Sequence, residues 1–270
     1  MTSTVGTQNA HYWDEACGTA LAASMGVSDF TAASLARFDE HFFTLYPFLA
    51  GYFPTDALTG RQVLEIGLGY GSLSQRLMEA GAYYHGIDIA AGPVHIANLR
   101  ARQAGKPPSA ALGDALQLPF ADNSFDGVCA IGCLHHTGDA RRAVAEVYRT
   151  LKPGGSAVVM VYNALCYKNW MIAPQETFRT LLRSPQASGS TGSPRLRSAH
   201  DRNVAGESPP ETAFHKASDI AELFADFSVV KVTKENCYLR LPASLRAVRR
   251  LALRTLGRWC GLNLYISAKK

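Results

Sequence analysis

What this chain lacks narrows it first. Its six cysteines (Cys17, Cys129, Cys133, Cys166, Cys237 and Cys260) include no Cys-x-x-Cys pair and no regular framework. The pattern therefore offers neither a disulfide scaffold nor a metal cluster, and reads as free thiols in a reducing compartment. No apolar run is long enough to span a bilayer, and residues 1–10 carry neither a basic segment nor an apolar stretch of the secretory kind. A cytoplasmic protein is expected. No G-x-x-x-x-G-K-[S/T] run is present to cradle a nucleoside triphosphate. Acidic residues are missing from Arg240 to Lys270, where eight basic residues fall, so this stretch alone exceeds the net charge of +5. The remaining chain is near neutral, which is not the composition of a general nucleic-acid binder.

What is there centres on Val63-Leu64-Glu65-Ile66-Gly67-Leu68-Gly69-Tyr70-Gly71. A short apolar run reads as a buried strand, three alternate glycines make a tight turn, and Ser72–Ala80 reads as a helix closed by Gly81. Glycines suit a turn in which a ligand approaches the backbone and a Cβ would clash. The following helix start offers free N–H groups to a polar ligand. The dinucleotide pattern G-x-G-x-x-G would need glycine at position 72, which is Ser72. The acid at Glu65 argues against a nearby polyphosphate and suits a cation.

Glu65-x-Gly67-x-Gly69-x-Gly71, followed by Asp88 at the end of Gly86-Ile87-Asp88-Ile89, resembles the class I S-adenosylmethionine (SAM) dependent methyltransferases. Two further blocks match in order: Gly113-Asp114-Ala115-Leu116-Gln117-Leu118-Pro119-Phe120 with Asn123-Ser124-Phe125-Asp126, and Leu151-Lys152-Pro153-Gly154-Gly155. The resemblance covers roughly residues 61–163. It implies an α/β fold with a Rossmann-like, mostly parallel sheet whose last strand is antiparallel, and a helical N-terminal cap. SAM would be the cofactor and S-adenosylhomocysteine the product.

Along the chain, residues 1–10 are expected to be mobile, and His11 to Phe53 is helical in tendency and rich in aromatics. Phe38, Phe42, Leu45 and Leu49 recur at helical spacing and predict a helix packed on the main domain. Alternating strand and helix signals then give strands at 63–66, 83–88, 110–112, 125–131 and 156–162, with a sixth at 228–232 and a last at 263–268. All parallel strands end at one edge, where ligands bind. Periodicity fades between Asn163 and Phe214, where prolines and a Ser/Gly-rich run predict a flexible insertion that serves either as a substrate lid or as a surface loop. Domain organisation follows as an aromatic cap (1–55), a SAM-binding core (56–163), the insertion (164–214) and a C-terminal part with a basic amphipathic helix (215–270). In that helix Leu245, Val248, Ala252 and Leu256 fall on one side and Arg246, Arg249, Arg250, Arg254 and Arg258 mostly on the other. Packing with the arginines in water is the default, and peripheral membrane contact through Arg246–Arg258 and a grip on an anionic substrate are the alternatives. Oligomeric state is left open.

Carried over by motif, the resemblance implies that Gly67, Gly69 and Gly71 admit the methionyl part of SAM. Glu65 would support the loop or read the ammonium through water. Asp88, with Ile89 beside it, would accept the ribose hydroxyls; Asp114, Ala115 and Leu116 would meet the adenine; Ile131 and Gly132 would offer carbonyls to the amine. A carboxylate suits two hydroxyls because it accepts two hydrogen bonds at once. No metal is implied. Methyl transfer from a sulfonium needs alignment and dryness more than covalent help, with a general base only for a protonated acceptor. His135 and His136, leaving strand 4 at the ligand edge, are the candidate bases, with a loop-shaping role as the competing reading. Tyr12, Trp13, His41 and Tyr162 are candidate substrate contacts. The absence of an Asn-Pro-Pro-Tyr motif after strand 4 makes nucleic acid an unlikely acceptor and favours a small molecule, methylated on oxygen first and carbon or nitrogen second. Two rivals stay open: a SAM-binding protein with non-methylating chemistry, and a tRNA- or lipid-directed methyltransferase using the basic helix.

Overall fold

The computed structural model describes residues 4–15, 18–237 and 246–270, so Cys17, Arg240 and Leu245 lie outside the described residues. The first helices, α1 (Thr4–Tyr12), α2 (Thr19–Ser24), α3 (Ala32–Leu45) and α4 (Leu49–Tyr52), form the cap. The alternating region follows as β1 (Gln62–Ile66), α5 (Ser72–Glu79), β2 (Tyr83–Asp88), α6 (Ala91–Gln103), β3 (Ala110–Leu112), β4 (Phe125–Ile131), α7 (Ala140–Thr150) and β5 (Leu151–Asn163). Next come α8 (Tyr167–Ile172), α9 (Pro174–Leu182), β6 (Ser190–Thr191), α10 (Pro194–His200) and β7 (Ala213–His215). The chain closes with α11 (Ala217–Leu223), β8 (Val229–Glu235), α12 (Arg246–Arg254), α13 (Leu256–Cys260) and β9 (Asn263–Lys269).

The sheet runs β3-β2-β1-β4-β5-β7-β6, and β9 pairs with both β5 and β8. Strands β1 to β5 and β7 pair in parallel. β9 is antiparallel to β5 and to β8, as expected of the last strand, and the two-residue β6 is antiparallel to β7 as well. Between the pairs Phe125↔Leu151 and Gly127↔Ser156, β5 accommodates the extra residues Lys152-Pro153-Gly154-Gly155 as an irregularity in the ladder. The helix–strand boundary thus falls at Thr150/Leu151, and the strand expected at 156–162 begins five residues earlier.

Local causes are visible in each element. Asp139 caps α7 by accepting from the Arg142 N–H at 3.0 Å, and Ala140, Ala143, Val144 and Val147 form its buried stripe. Thr31 caps α3 through Ser34 N–H. The core lies on both faces of the sheet. One cluster joins β1, β4 and β5 to α7 and α11. A second joins β1 and α5 to the cap aromatics Phe42, Phe43, Tyr46, Phe48 and Tyr52.

Three expectations are corrected. Residues 4–10 are helical, within α1, because Asn9 is buried and donates its Nδ2 to the His136 carbonyl at 2.6 Å. The segment after β5 is not irregular: three helices and the β6–β7 pair occupy it, with Pro174 and Pro194 starting α9 and α10. Proline is favoured in a first helical turn, so the residues that suggested a loop are helix starts. In α12 the buried residues are Ala252 and Leu253, while Val248 and, beyond its end, Leu256 are exposed. The reason is Arg249, which donates to the Thr44 and Leu45 carbonyls at the end of α3 at 3.0 and 2.6 Å. Positions 249, 252 and 253 share one helical face, so that anchor turns Val248 outward.

One contact ties the cap to the sheet edge. Arg100, 2% exposed on the inner face of α6, forms a two-pronged pair with Asp39 of α3 at 2.8 and 2.9 Å, and its Nε donates to the Tyr70 carbonyl at 3.0 Å. The Ser72 hydroxyl donates to the same Asp39 at 2.5 Å. Replacing Arg100 by Met leaves Asp39 unpaired and should cost about 3–5 kcal/mol in urea unfolding, whereas Arg100→Met with Asp39→Leu should recover much of that loss. A single-variant cost within experimental error of zero would refute the assignment.

Candidate functional site

The glycine turn has the backbone its residues imply. Gly67, Gly69 and Gly71 have φ of +79°, +51° and +76°, the left-handed region that side chains disfavour. Space is short too: a Cβ on Gly67 would lie 2.5 Å from the Cys133 Cβ, and one on Gly71 would lie 2.7 Å from the Arg100 Cδ. The Cys133 thiol donates to the Ile66 carbonyl at 2.9 Å, and burial pushes its pKa up, so it fills the turn as a neutral thiol.

Two carboxylates serve this turn from below and beside it. Glu65 is buried and accepts from Ser74 Oγ at 2.6 Å and from the Tyr84 hydroxyl at 2.9 Å, joining β1 to α5 and β2. Burial pushes its pKa up to about 7. Asp88, at the end of β2, accepts from the Leu68 N–H at 2.7 Å and the Ala90 N–H at 3.0 Å, one on each oxygen. Each carboxylate oxygen can accept twice, so the carboxylate keeps capacity for two hydroxyls while fastening the turn to the next strand. Burial raises its pKa against the pull of those N–H groups.

Asp114 stands beyond β3 in a tight turn, accepting from the Leu116 N–H at 2.9 Å, and Ala115 and Leu116 are half-buried against the core. Gly113 N–H donates to the Asp88 carbonyl at 2.9 Å, so the two acids are held on neighbouring strand ends. Ile131 and Gly132 end β4, Gly132 with φ +85°. Ile89, half-buried, follows Asp88 directly.

Over this edge lies the turn Trp13–Glu15 that follows α1. The Asp14 carboxylate accepts from the Gly92 N–H at 2.9 Å at the start of α6. Tyr12 donates to the Glu207 carbonyl at 3.2 Å, and Glu15 accepts from the Val204 N–H at 2.9 Å. The cap and the insertion therefore meet each other across the ligand edge. A cavity between them is lined by Tyr12, Trp13, Glu15, Asp201 and Arg202, among others.

Beside the cavity four histidines are packed together. His135 is 1% exposed, its ring 4.1 Å from His136 and 4.2 Å from Tyr162, and neither ring nitrogen makes a hydrogen bond of normal geometry to the described residues. Burial, with smaller contributions from its histidine neighbours, holds its pKa well below the usual value. His136 Nδ1 lies 2.8 Å from the Glu211 carbonyl, which can only accept, so this nitrogen carries the proton. Its Nε2 is 3.6 Å from Asp201, and Trp13 lies against the ring at 4.8 Å. Burial lowers the His136 pKa and Asp201 opposes that. Tyr162 donates to Asp201 at 2.7 Å. His200 bonds to Asn169 and is pushed down by burial to about 3, and His215, with both nitrogens unpartnered, to about 4.

Tyr12, Trp13, Tyr162, His135 and His136 are thus brought together. His41 is not: it is exposed on α3, whose Leu35 and Phe38 face the core, so the substrate role expected of it has no support in its position. Asp14, Asp39, Arg100 and Asp201 were missed. Only Arg100 left a trace in the sequence, as a lone charge in the stripe Pro93, Ile96, Ala97, Arg100 and Ala101 that α6 buries.

Residues 64–159 match the model of a family described as a methyltransferase domain. The demethylmenaquinone methyltransferase of Thermobifida fusca is 35% identical over 111 residues, 41% of this chain and 47% of that protein. The ubiquinone biosynthesis O-methyltransferase of Idiomarina loihiensis is 33% identical over 124 residues, 44% and 49% of the two chains. The chain spans about half the length, or less, of the curated relatives it matches. An S-adenosylmethionine dependent methyltransferase from Mesorhizobium loti shares the fold, with a TM-score of 0.53 at 19% identity, covering 84% of this chain and 98% of that one.

Titration gives the site a measurable signature. The histidines are held neutral, so stability is intact above their ordinary pKa of 6.5 and is lost as pH falls through the depressed values. Glu65 acts with the opposite sign: its folded pKa is raised, so stability falls as pH rises from 4.5 to about 7. Melting temperatures across this range should show His135→Leu flattening the acid side and Glu65→Gln removing the loss toward neutrality, so that the variant gains on wild type as pH rises to 7. Parallel curves for wild type and either variant would contradict the assignment of that group.

Proposed function

We propose that this chain, whose residues 64–159 match a methyltransferase domain, transfers a methyl group from SAM to a small molecule, on oxygen in preference to carbon or nitrogen. The observation that carries this reading is the glycine turn with its three left-handed glycines, set against Asp88 and Asp114 on successive strand ends. Gly67, Gly69 and Gly71 would admit the methionyl part of SAM, Asp88 its ribose, Asp114 with Ala115 and Leu116 its adenine, and Ile131 and Gly132 its amine. When bound, SAM supplies a methyl group already activated on a sulfonium.

The chain's own residues then have three tasks. Tyr12, Trp13 and Glu15 of the cap and Asp201 and Arg202 of the insertion enclose the acceptor and exclude water. Asp14 holds the cap turn on α6. His136 takes the acceptor's proton at Nε2, which its Glu211 contact leaves unprotonated, and Asp201 raises its basicity. His136 is preferred to His135 because its ring touches Trp13 and its Nε2 lies 3.6 Å from Asp201, both of which line the cavity. Tyr162 orients Asp201. The O-methyltransferase among the relatives supports an oxygen acceptor.

The test is incubation of the protein with methyl-labelled SAM and fractionated cell extract. Label should enter small molecules; SAM binding without transfer would favour the non-methylating alternative. Asp88→Ala should weaken SAM about tenfold or more in calorimetry, the loss of charge-assisted hydrogen bonds, with the fold retained by circular dichroism. Unchanged affinity would overturn the cofactor assignment. His136→Gln should lower kcat about a hundredfold with little change in acceptor KM. The acid limb of wild-type activity should fall below pH 6.5, because burial depresses His136, and Asp201→Asn should move that limb lower still. A limb unmoved by that change would remove Asp201 from the reaction.

A further inference from the structure

β8 and β5 are both antiparallel to β9, so β8 runs with the parallel strands and ends at their ligand edge. Helices α12 and α13, lying between β8 and β9 in the chain, therefore stand at that edge. They are anchored from within: Ala252 and Leu253 are buried, Arg249 binds the end of α3, and Lys234 donates to the Trp259 carbonyl at 3.0 Å. What they turn outward is apolar. Val248 is 51% exposed, Leu251 63%, Leu256 45% and Trp259 76%. Scattered exposed leucines need no explanation, but four large apolar side chains on two consecutive short helices, one of them an indole, do.

The surroundings of the patch specify its partner. Arg254 is exposed beside it, Arg258 is half-exposed and paired with the buried Glu235 at 3.1 Å, and residues 236–262 contain six arginines and no acidic residue. A second copy would bring the same positive charge against it. A single-stranded nucleic acid could stack on Trp259 but has nothing to offer Val248, Leu251 and Leu256, which need hydrocarbon. A tryptophan with its ring in an apolar layer and its N–H at a wet boundary, flanked by aliphatic residues and arginines, matches the interface of an anionic bilayer. We infer that α12 and α13 dock this protein onto an anionic lipid surface through Val248, Leu251, Leu256 and Trp259, with Arg254 at the headgroups. Docking there sets the ligand edge against the bilayer. The surface works independently of the transfer reaction and stands or falls without it.

The test uses the full chain and phosphatidylcholine vesicles with or without phosphatidylglycerol. Wild type should cosediment with the anionic vesicles at low salt, far less at high salt, and little with phosphatidylcholine alone. Arg254→Ala should lower the partition coefficient about fivefold and Leu251→Ser with Trp259→Ser about tenfold or more. Circular dichroism and SAM affinity should be unchanged in both. Lipids brominated in their chains should quench wild-type tryptophan fluorescence, and Trp259→Phe should abolish most of that quenching. The inference is overturned by absence of cosedimentation with anionic vesicles at low salt, or by equal partition of wild type and the double serine variant. It is equally overturned if poly(U), or self-association seen by sedimentation velocity, depends on Trp259 while vesicle binding does not.

Discussion

A buried guanidinium cannot remain unpaired in a protein interior, and Arg100 meets that constraint by holding three separate parts of this chain at once. Its partners are Asp39 on the cap helix α3, the Tyr70 carbonyl in the glycine turn and, through Asp39, the hydroxyl of Ser72 at the start of α5. The ligand edge therefore does not exist as a feature of the sheet alone. The turn that would admit the cofactor and the cap that would cover it are fixed to the same side chain. Gly71 is part of the same arrangement, since any side chain there would strike Arg100.

A second organising feature is the buried cluster of His135, His136 and His200 around Tyr162, with His215 on the adjoining β7. Uncharged imidazoles can pack like aromatic rings, and the insertion closes over them in that state. Of the four, His136 is distinguished by contact with a carboxylate, Asp201, that also borders the cavity between cap and insertion. The others lend shape and low polarity to its surroundings. A group held neutral by burial, with one nitrogen committed to a carbonyl and the other near an acid, has the character of a base rather than of a charged anchor.

The alternating strands and helices were legible because their signals are local. Val63–Ile66, Tyr83–Asp88 and Phe125–Ile131 are apolar runs bounded by glycine or acid, and the structure places strands there with boundaries shifted by a residue at most. The prolines after β5 misled because the same residue that breaks a helix interior also begins a helix, and only the packing of α9 and α10 distinguishes the two. In α12 and just beyond it the expected apolar side is split, with Ala252 buried but Val248 and Leu256 exposed, while Leu253 is buried in their place. The side that faces the protein is chosen by Arg249, whose partners at the end of α3 lie some two hundred residues away in the chain.

The sequence by itself determined the alternation of strands and helices from β1 to β5, the left-handed glycine turn and the acids at the strand ends, since each depends on residues within one turn or strand of each other. Tertiary structure alone decided that Arg100 meets Asp39, that Asp201 stands beside His136 and Tyr162, that His41 faces solvent and that Trp259 points outward. Those outcomes depend on where the chain returns after long excursions, and on which buried charges must find a partner when it does. No local periodicity encodes either.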